Sequence, residues 1–169
     1  MHRLQKEAGV RSMIRRILLA YSNTRPVKVI SDNGRRYLER YFVCSVFGMR
    51  VYLHRFVGSD PDRGLHDHPW AWAASIVLAG WYREVRRRGL REVRWFNSLE
   101  GDTFHRIIKP EGMADVWTLF FHKAGDVKPW GFMRYLGHGQ ALWSEYVYGG
   151  KGKETAWWLT AKKGRDLRL

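Results

Sequence analysis

Residues 60–85 read DPDRGLHDHPWAWAASIVLAGWYREV, with His66 and His68 one residue apart, directly before a Pro-Trp step and a long apolar run. The run ends at Gly80 and predicts a buried β-strand. Side chains alternate between the two faces of a strand, so the two histidines point to one side and Asp67 to the other. The pair can therefore share one metal ion, because imidazole nitrogen binds iron, zinc, copper and nickel well.

The rest of the chain predicts an all-β fold. From residue 36 onward, short stretches rich in aromatic and β-branched residues alternate with Gly, Pro, Asp or Asn, among them VWTLFFHK, WGFMRYL and EYVYG. Tight turns at Gly48 and Gly89 predict hairpins. Many short strands with little helix between them favour antiparallel sheets in a sandwich or barrel. The segment RSMIRRILLAYS adds one short amphipathic helix near the N terminus.

The length of 169 residues fits one domain with one core. Within it we expect an N-terminal helix and connector over residues 1–35, the barrel over 36–148, and a basic C-terminal tail over 149–169 that packs on the barrel. Hydrophobic residues make up 45% of the chain and aromatic residues 15%, which excludes a disordered protein.

The chain is strongly basic, with 30 Lys and Arg against 16 Asp and Glu and a formal net charge of +14. A polyanionic partner such as nucleic acid is therefore possible, as is a phosphorylated substrate. The basic residues fall into separate groups, which is more typical of solvated surfaces than of one binding stripe. The groups include Arg11, Arg15 and Arg16; Arg35, Arg36 and Arg40; Arg86, Arg87 and Arg88; and Lys151, Lys153, Lys162 and Lys163.

The sequence predicts a cytoplasmic protein. Its single cysteine, Cys44, excludes an internal disulfide and suits a reducing compartment. The N terminus lacks the pattern of a secretory signal. The longest apolar run, residues 70–82, is shorter than the ~18 to 20 residues that a membrane span requires.

A third metal ligand could come from His105 in EGDTFHRI, which begins another predicted strand after a glycine turn. Three histidine ligands would leave coordination positions open for a substrate. A metal site formed by His66, His68 and His105 is therefore one hypothesis, and the other is a polar turn that leads into a buried strand, since paired histidines also occur in ordinary turns.

This pattern resembles the cupin superfamily. The matching positions are Gly64, His66, His68 and Gly80 in the first motif, and Gly101 and His105 in the second. The glutamate ligand of the first cupin motif would stand at Ala73 and is absent. The resemblance implies a jelly-roll barrel of the double-stranded β-helix type, and pairing into a homodimer as in many cupins. Similarity to three-histidine cupin-type thiol dioxygenases implies an Fe(II) centre with positions for substrate and O₂.

Other residues near the motif are candidates for supporting roles. Glu84, later on the same predicted strand, could supply an additional ligand, or could equally form a surface ion pair. Asp67 is a poorer ligand candidate because it faces the opposite side. An arginine could hold an anionic substrate group and aromatic side chains could wall the pocket, although core packing also explains the aromatic residues. The substrate-binding candidates are Tyr52, His54, Arg55, Trp70 and Arg106.

Three functions are compatible with these residues. The first is a non-haem Fe(II) oxygenase acting on a small molecule, with iron favoured over zinc, manganese and nickel. The second is a non-catalytic binding module for a small ligand or a polyanion such as nucleic acid. The third is a sugar isomerase or epimerase in which His66 or His105 acts as a base. The oxygenase hypothesis predicts a pocket walled by aromatic side chains with one or two arginines to orient a substrate.

Overall fold

The computed structural model describes residues 2–147 and 156–168, with side chains from residue 12 onward. Of the basic groups in the sequence, the side chain of Arg11 and the residues Lys151 and Lys153 lie outside this description. The described residues include no helix long and apolar enough to cross a membrane.

The chain forms a helix, then twelve strands, then two short 3-10 turns. The helix α1 spans His2–Asn23, and the 3-10 turns span Trp157–Leu159 and Gly164–Leu167. The strands are β1 (Val27–Asp32), β2 (Arg35–Val46), β3 (Met49–Phe56), β4 (Leu65–His66), β5 (Trp72–Ala79), β6 (Tyr82–Arg86), β7 (Gly89–Val93), β8 (Phe96–Glu100), β9 (His105–Ile108), β10 (Val116–Lys123), β11 (Gly131–Gly137) and β12 (Gln140–Glu145).

The strands pair into two sheets of six. The first has the order β1-β2-β3-β10-β5-β8, and the second has the order β12-β11-β4-β9-β6-β7. Every pairing among these strands is antiparallel. The predicted fold class, an all-β antiparallel cupin-like barrel preceded by a helix, is confirmed.

Strict alternation of side chains sorts the first sheet into an inner and an outer face. On β3, Tyr52 and His54 face the second sheet, and on β10 Phe120 does the same. These strands pair in register, with Phe120 opposite Tyr52. The interior is divided between two apolar clusters, one around Phe56, Tyr82, Ile107 and Val116 and the other around Tyr52, Trp70, Leu99 and Phe120.

The outer face of the first sheet is covered by α1. Leu18 and Leu19 of the helix pack against Tyr41, Leu53 and Trp117, which are almost fully buried. Ion pairs tie the helix and the sheet together on the same face. Arg15 of the helix binds Asp115 at 2.8 Å, and Arg55 of β3 binds both Asp115 at 3.0 Å and Glu39 at 3.2 Å.

The structure differs from the sequence-based expectation at several boundaries. Residues 27–32, expected to be part of a connector, form β1 and pair with β2. The expected strand in EYVYG is wrong for its described residues, because residues 146 and 147 lie outside any strand and β12 ends at Glu145. Residues 156–168 return to the barrel, where the Val27 N–H donates to the Lys162 carbonyl at 2.9 Å.

The turn that leads into β4 depends on Gly64. Its φ of +101° disfavours any other residue, and an added Cβ would overlap the carbonyl oxygen of Met133 on β11.

We expect Gly64→Ala to lower the free energy of unfolding by about 1–3 kcal/mol more than Gly112→Ala. Gly112 also has a positive φ, of +72°, but open space around the position of its Cβ. Chemical denaturation of both variants measures the difference, and equal losses would contradict it.

The loop before β4 is fastened to β9 by Asp60. The Asp60 N–H donates to the Ile107 carbonyl at 2.9 Å, and the Ile107 N–H donates to Asp60 Oδ2 at 2.7 Å. Burial raises the pKa of Asp60 to about 6, and the hydrogen bond from Ile107 offsets only part of that rise.

This raised pKa predicts a pH-dependent stability. Between pH ~4 and ~6 the folded protein holds the Asp60 proton while the unfolded chain releases it, so stability falls as pH rises through this window. We expect Asp60→Asn to remove that part of the slope, because an amide oxygen can still accept from the Ile107 N–H. The measurement is the free energy of unfolding across this range, with Asp102→Asn at an exposed position as control. A slope unchanged in Asp60→Asn would refute the assignment.

Candidate metal centre

The two histidines of the first motif and the histidine of the second lie on neighbouring strands. His66 ends β4, His105 begins β9, and the two are direct cross-strand partners. His68 follows β4 by two residues and faces the same side as His66. The strand pairing therefore brings together residues that are almost forty positions apart in sequence.

The three imidazoles form a compact group. One ring nitrogen from each of His66, His68 and His105 lies within 4.8 Å of the others. The Nε2 atoms of His68 and His105 are 2.9 Å apart. His105 is 2% exposed, so the group lies inside the barrel.

A buried carboxylate fixes the orientation of His105. Its Nδ1 lies 2.7 Å from Oε1 of Glu84 on the adjacent strand β6. Because an ionised carboxylate only accepts hydrogen bonds, Nδ1 carries the proton and the Nε2 lone pair is directed at the other two histidines. A carboxylate in this position is the usual partner of a metal-binding imidazole.

Glu84 is fully buried, and a network of donors holds it ionised. Burial raises its pKa, but hydrogen bonds from His105, Asn97 and Arg91 outweigh that effect and lower the pKa to about 2. Arg86 also donates to it, at 2.8 Å. Of the two roles expected for Glu84, ion pairing is observed, with Arg86 at 2.8 Å and Arg91 at 2.7 Å, but at a fully buried position and not at the surface. Its Oε1 binds the side of His105 that faces away from the histidine group, and the residue has no exposed surface.

His66 and His68 are neutral at physiological pH. Burial is the main cause that lowers the pKa of both well below the ordinary value, and the charge on neighbouring imidazoles adds to it. Neutral imidazoles have the free lone pair that a metal ion requires.

Asp67 points away from the two histidines that flank it, as strand alternation predicts. Its Oδ1 accepts from the Gly131 N–H at 2.7 Å, and its Oδ2 is bound by Lys128. The residue thereby attaches the histidine segment to the start of β11 and is not available as a ligand.

The histidine group forms part of the wall of a cavity of about 440 Å³ between the two sheets. Aromatic rings make up much of the remaining wall. Trp70 stacks on His68 with ring centroids 4.6 Å apart and on His122 with centroids 4.0 Å apart. His122 in turn stacks on Tyr52 at 5.6 Å. A continuous series of stacked rings therefore leads from the histidine group to the opposite sheet.

The structure separates the five substrate-binding candidates into two sets. Tyr52, His54 and Trp70 line the cavity. Arg55 and Arg106 do not, and their assignment is corrected: Arg55 binds Glu39 and Asp115 under the helix, and Arg106 binds Asp62. Side chains alternate between the two faces of a strand. Arg55 follows the inward-facing His54, and Arg106 follows the inward-facing His105, so both arginines point outward.

Several cavity residues were not predicted from the sequence. His122 is buried and lines the cavity, with a pKa that burial lowers to about 4. Arg40 and Arg50 also line it, and Arg40 donates to Nε2 of His54 at 3.1 Å. Alternation along β10 from Phe120, and along β3 from Tyr52, would have found His122 and Arg50 once the inner face was known.

The arginine group at residues 86–88 is partly occupied by contacts within the protein. Arg86 binds Glu84, Asn97 and the Ser98 carbonyl. The guanidinium of Arg87 lies 5.0 Å from the centroid of the Phe104 ring. These contacts leave less of this group available to a polyanion than the sequence suggests.

The residues fit a divalent transition metal. Three imidazole nitrogens, two on neutral rings of low pKa and one oriented by Glu84, form a donor set suited to iron, zinc or nickel. In the protein without metal, the His68–His105 contact requires a proton between the two Nε2 atoms. A metal ion would replace that proton.

Comparison with known proteins finds similarity in structure but not in sequence. No protein-family model matches the sequence, and no curated protein matches it. Among solved structures, Fe(II) HppE aligns with 12% identity and a TM-score of 0.48, over 58% of this chain and 56% of that chain. This chain thus spans little more than half the length of that protein.

Two cupin-2 domain proteins are similar to a comparable degree. One from Rhodospirillum rubrum aligns with 14% identity and a TM-score of 0.49, over 60% of this chain and 71% of that chain. One from Rhodopseudomonas palustris aligns with 13% identity and a TM-score of 0.48, over 59% and 73%. The pairing of the twelve strands shows that this chain has a cupin-like antiparallel barrel, the fold that its resemblance to the cupin superfamily implied.

Proposed function

We propose that this protein binds Fe(II) through His66, His68 and His105 and acts as an oxygenase on a small molecule. One observation supports the proposal above others: the buried imidazole of His105 and the half-buried imidazoles of His66 and His68 meet in the wall of the cavity between the two sheets. A structural metal site is usually closed by four protein ligands, whereas three ligands beside a cavity leave positions for a substrate.

Each part of the site has a role in this proposal. Bound Fe(II) would supply the activation of O₂. Glu84 would hold His105 in the tautomer that binds the ion. The rings of Trp70 and Phe120 would exclude water and shape the space for the substrate. Fe(II) is preferred to zinc, manganese and nickel because of the resemblance to three-histidine cupin-type thiol dioxygenases.

The other two functions have less support. A polyanion-binding module would need a basic stripe, and Arg86 and Arg87 are held by contacts within the protein. A sugar isomerase would need His66 or His105 as a base. The Nδ1 of His105 is bound by Glu84 and its Nε2 faces His68, which suits a shared ion better than proton transfer to a substrate.

We expect His105→Ala to lower the iron content of the purified protein by about tenfold or more, because the ion loses one of three ligands. His138→Asn, at an exposed turn position with a φ of +50°, provides the matched control and should bind iron like the wild type. Metal analysis of protein purified without a histidine tag, together with O₂ consumption over a panel of thiols and small acids, measures the effect. Wild-type protein that binds no Fe(II) would refute the proposal.

We also expect Glu84→Gln to weaken metal binding by about 10–100-fold, since the amide removes the charge that orients the His105 ring and makes it a better ligand. Glu92→Gln is the control, because Glu92 pairs with Arg94 on the surface of β7. Competition with a coloured chelator gives the affinities, and denaturation shows whether both variants fold. Equal affinities in Glu84→Gln and the wild type would exclude this role for Glu84.

A further inference from the structure

We propose that Arg50 forms a subsite for the charged group of a small organic anion, whose apolar part extends along the aromatic wall toward the three histidines. This inference rests on the proposed function for the reacting end of the substrate. The subsite itself does not require a bound metal ion.

Arg50 is placed in the cavity by strand alternation. It precedes Tyr52 on β3 by two residues, faces the same side, and is the cross-strand partner of His122 on β10. Its guanidinium lies 5.1 Å from the centroid of the Trp158 ring, which holds a half-buried cation without neutralising it.

Arg50 differs from the arginines on the outer face of the same sheet. Arg15 and Arg55 bind the carboxylates of Asp115 and Glu39. In the described part of the chain, by contrast, no ion pair joins Arg50 to a carboxylate. An arginine that is half-buried in a cavity without a carboxylate partner is suited to bind an anion from solution.

Arg40 lies beside the same stretch of the cavity wall. It lies on β2 opposite His54, to which it donates, and its guanidinium is 5.5 Å from the centroid of the Tyr52 ring. Both arginines therefore contact the stretch of wall formed by Tyr52 and its neighbours.

The stacked rings between Arg50 and the metal centre set the size of the ligand. From His68, the wall runs through Trp70 to His122, which is paired across the strands with Arg50. Only one indole and one imidazole separate the two ends. We therefore expect a compact ligand with one anionic end and one apolar end.

Benzoate, with neutral benzamide as its comparison, is the probe for this subsite. Calorimetry on metal-free protein should show benzoate binding and benzamide binding at least tenfold weaker. Arg50→Gln should weaken benzoate binding by about tenfold or more, because a charged hydrogen-bonding partner is lost. Arg50→Lys keeps the charge but lacks the planar guanidinium group, and it should retain part of the affinity. Partial binding by this variant would show that a substitution at residue 50 leaves the protein folded. Arg88→Gln, at an exposed turn, removes the same charge elsewhere and should bind like the wild type.

Co(II)-loaded protein tests the orientation of the ligand. With the carboxylate at Arg50, paramagnetic relaxation should act more strongly on the para proton of benzoate than on the ortho protons. Faster relaxation of the ortho protons would place the carboxylate on the metal and overturn the proposal. Equal binding of benzamide, or equal loss in Arg50→Gln and Arg88→Gln, would also overturn it. If benzoate binds in an Arg50-dependent way while no metal binds, the subsite stands and the proposed oxygenase function fails.

Discussion

The hydrogen bond between Glu84 and His105 is the interaction on which the site depends. Burying a carboxylate is costly unless several donors compensate it, and here Asn97, Arg86 and Arg91 do so together with the histidine. These donors come from both sheets, since Asn97 lies on β8 of the first sheet and Glu84 on β6 of the second. The network that orients His105 therefore also joins the two layers of the barrel. Loss of Glu84 would affect both the orientation of His105 and the packing of the sheets.

The two faces of the first sheet perform different tasks. The outer face, under α1, combines apolar packing with closed ion pairs such as that of Arg55 with Asp115. The inner face combines aromatic rings with histidines and with Arg50, which forms no ion pair with a carboxylate in the described part of the chain. Because alternate residues of one strand supply both faces, β3 carries the structural Arg55 directly beside the cavity residue His54. A single strand thus supports the fold on one side and the site on the other.

The basic and aromatic composition of the chain has one common explanation. Several guanidinium groups lie over aromatic rings, among them Arg50 over Trp158, Arg55 over Trp117 and Arg87 over Phe104. Arg50 is held in this way at a half-buried position without a carboxylate, whereas Arg55 also binds Glu39 and Asp115. The net charge of +14 is therefore in part an internal feature of the packing, and it is weaker evidence for a polyanionic partner than its size suggests.

The sequence by itself determined the strand-rich fold class, the shared direction of His66 and His68, and the outward direction of Asp67. Each depends on local periodicity, which a strand imposes on neighbouring residues. The same rule, applied to Arg55 and Arg106, would have excluded them from the cavity. Only the tertiary structure decided that His105 meets the other histidines and that Glu84 orients its ring. Those contacts depend on which distant strands pair. The hydrophobic pattern of a strand constrains its register once it is paired, but it does not select the partner strand.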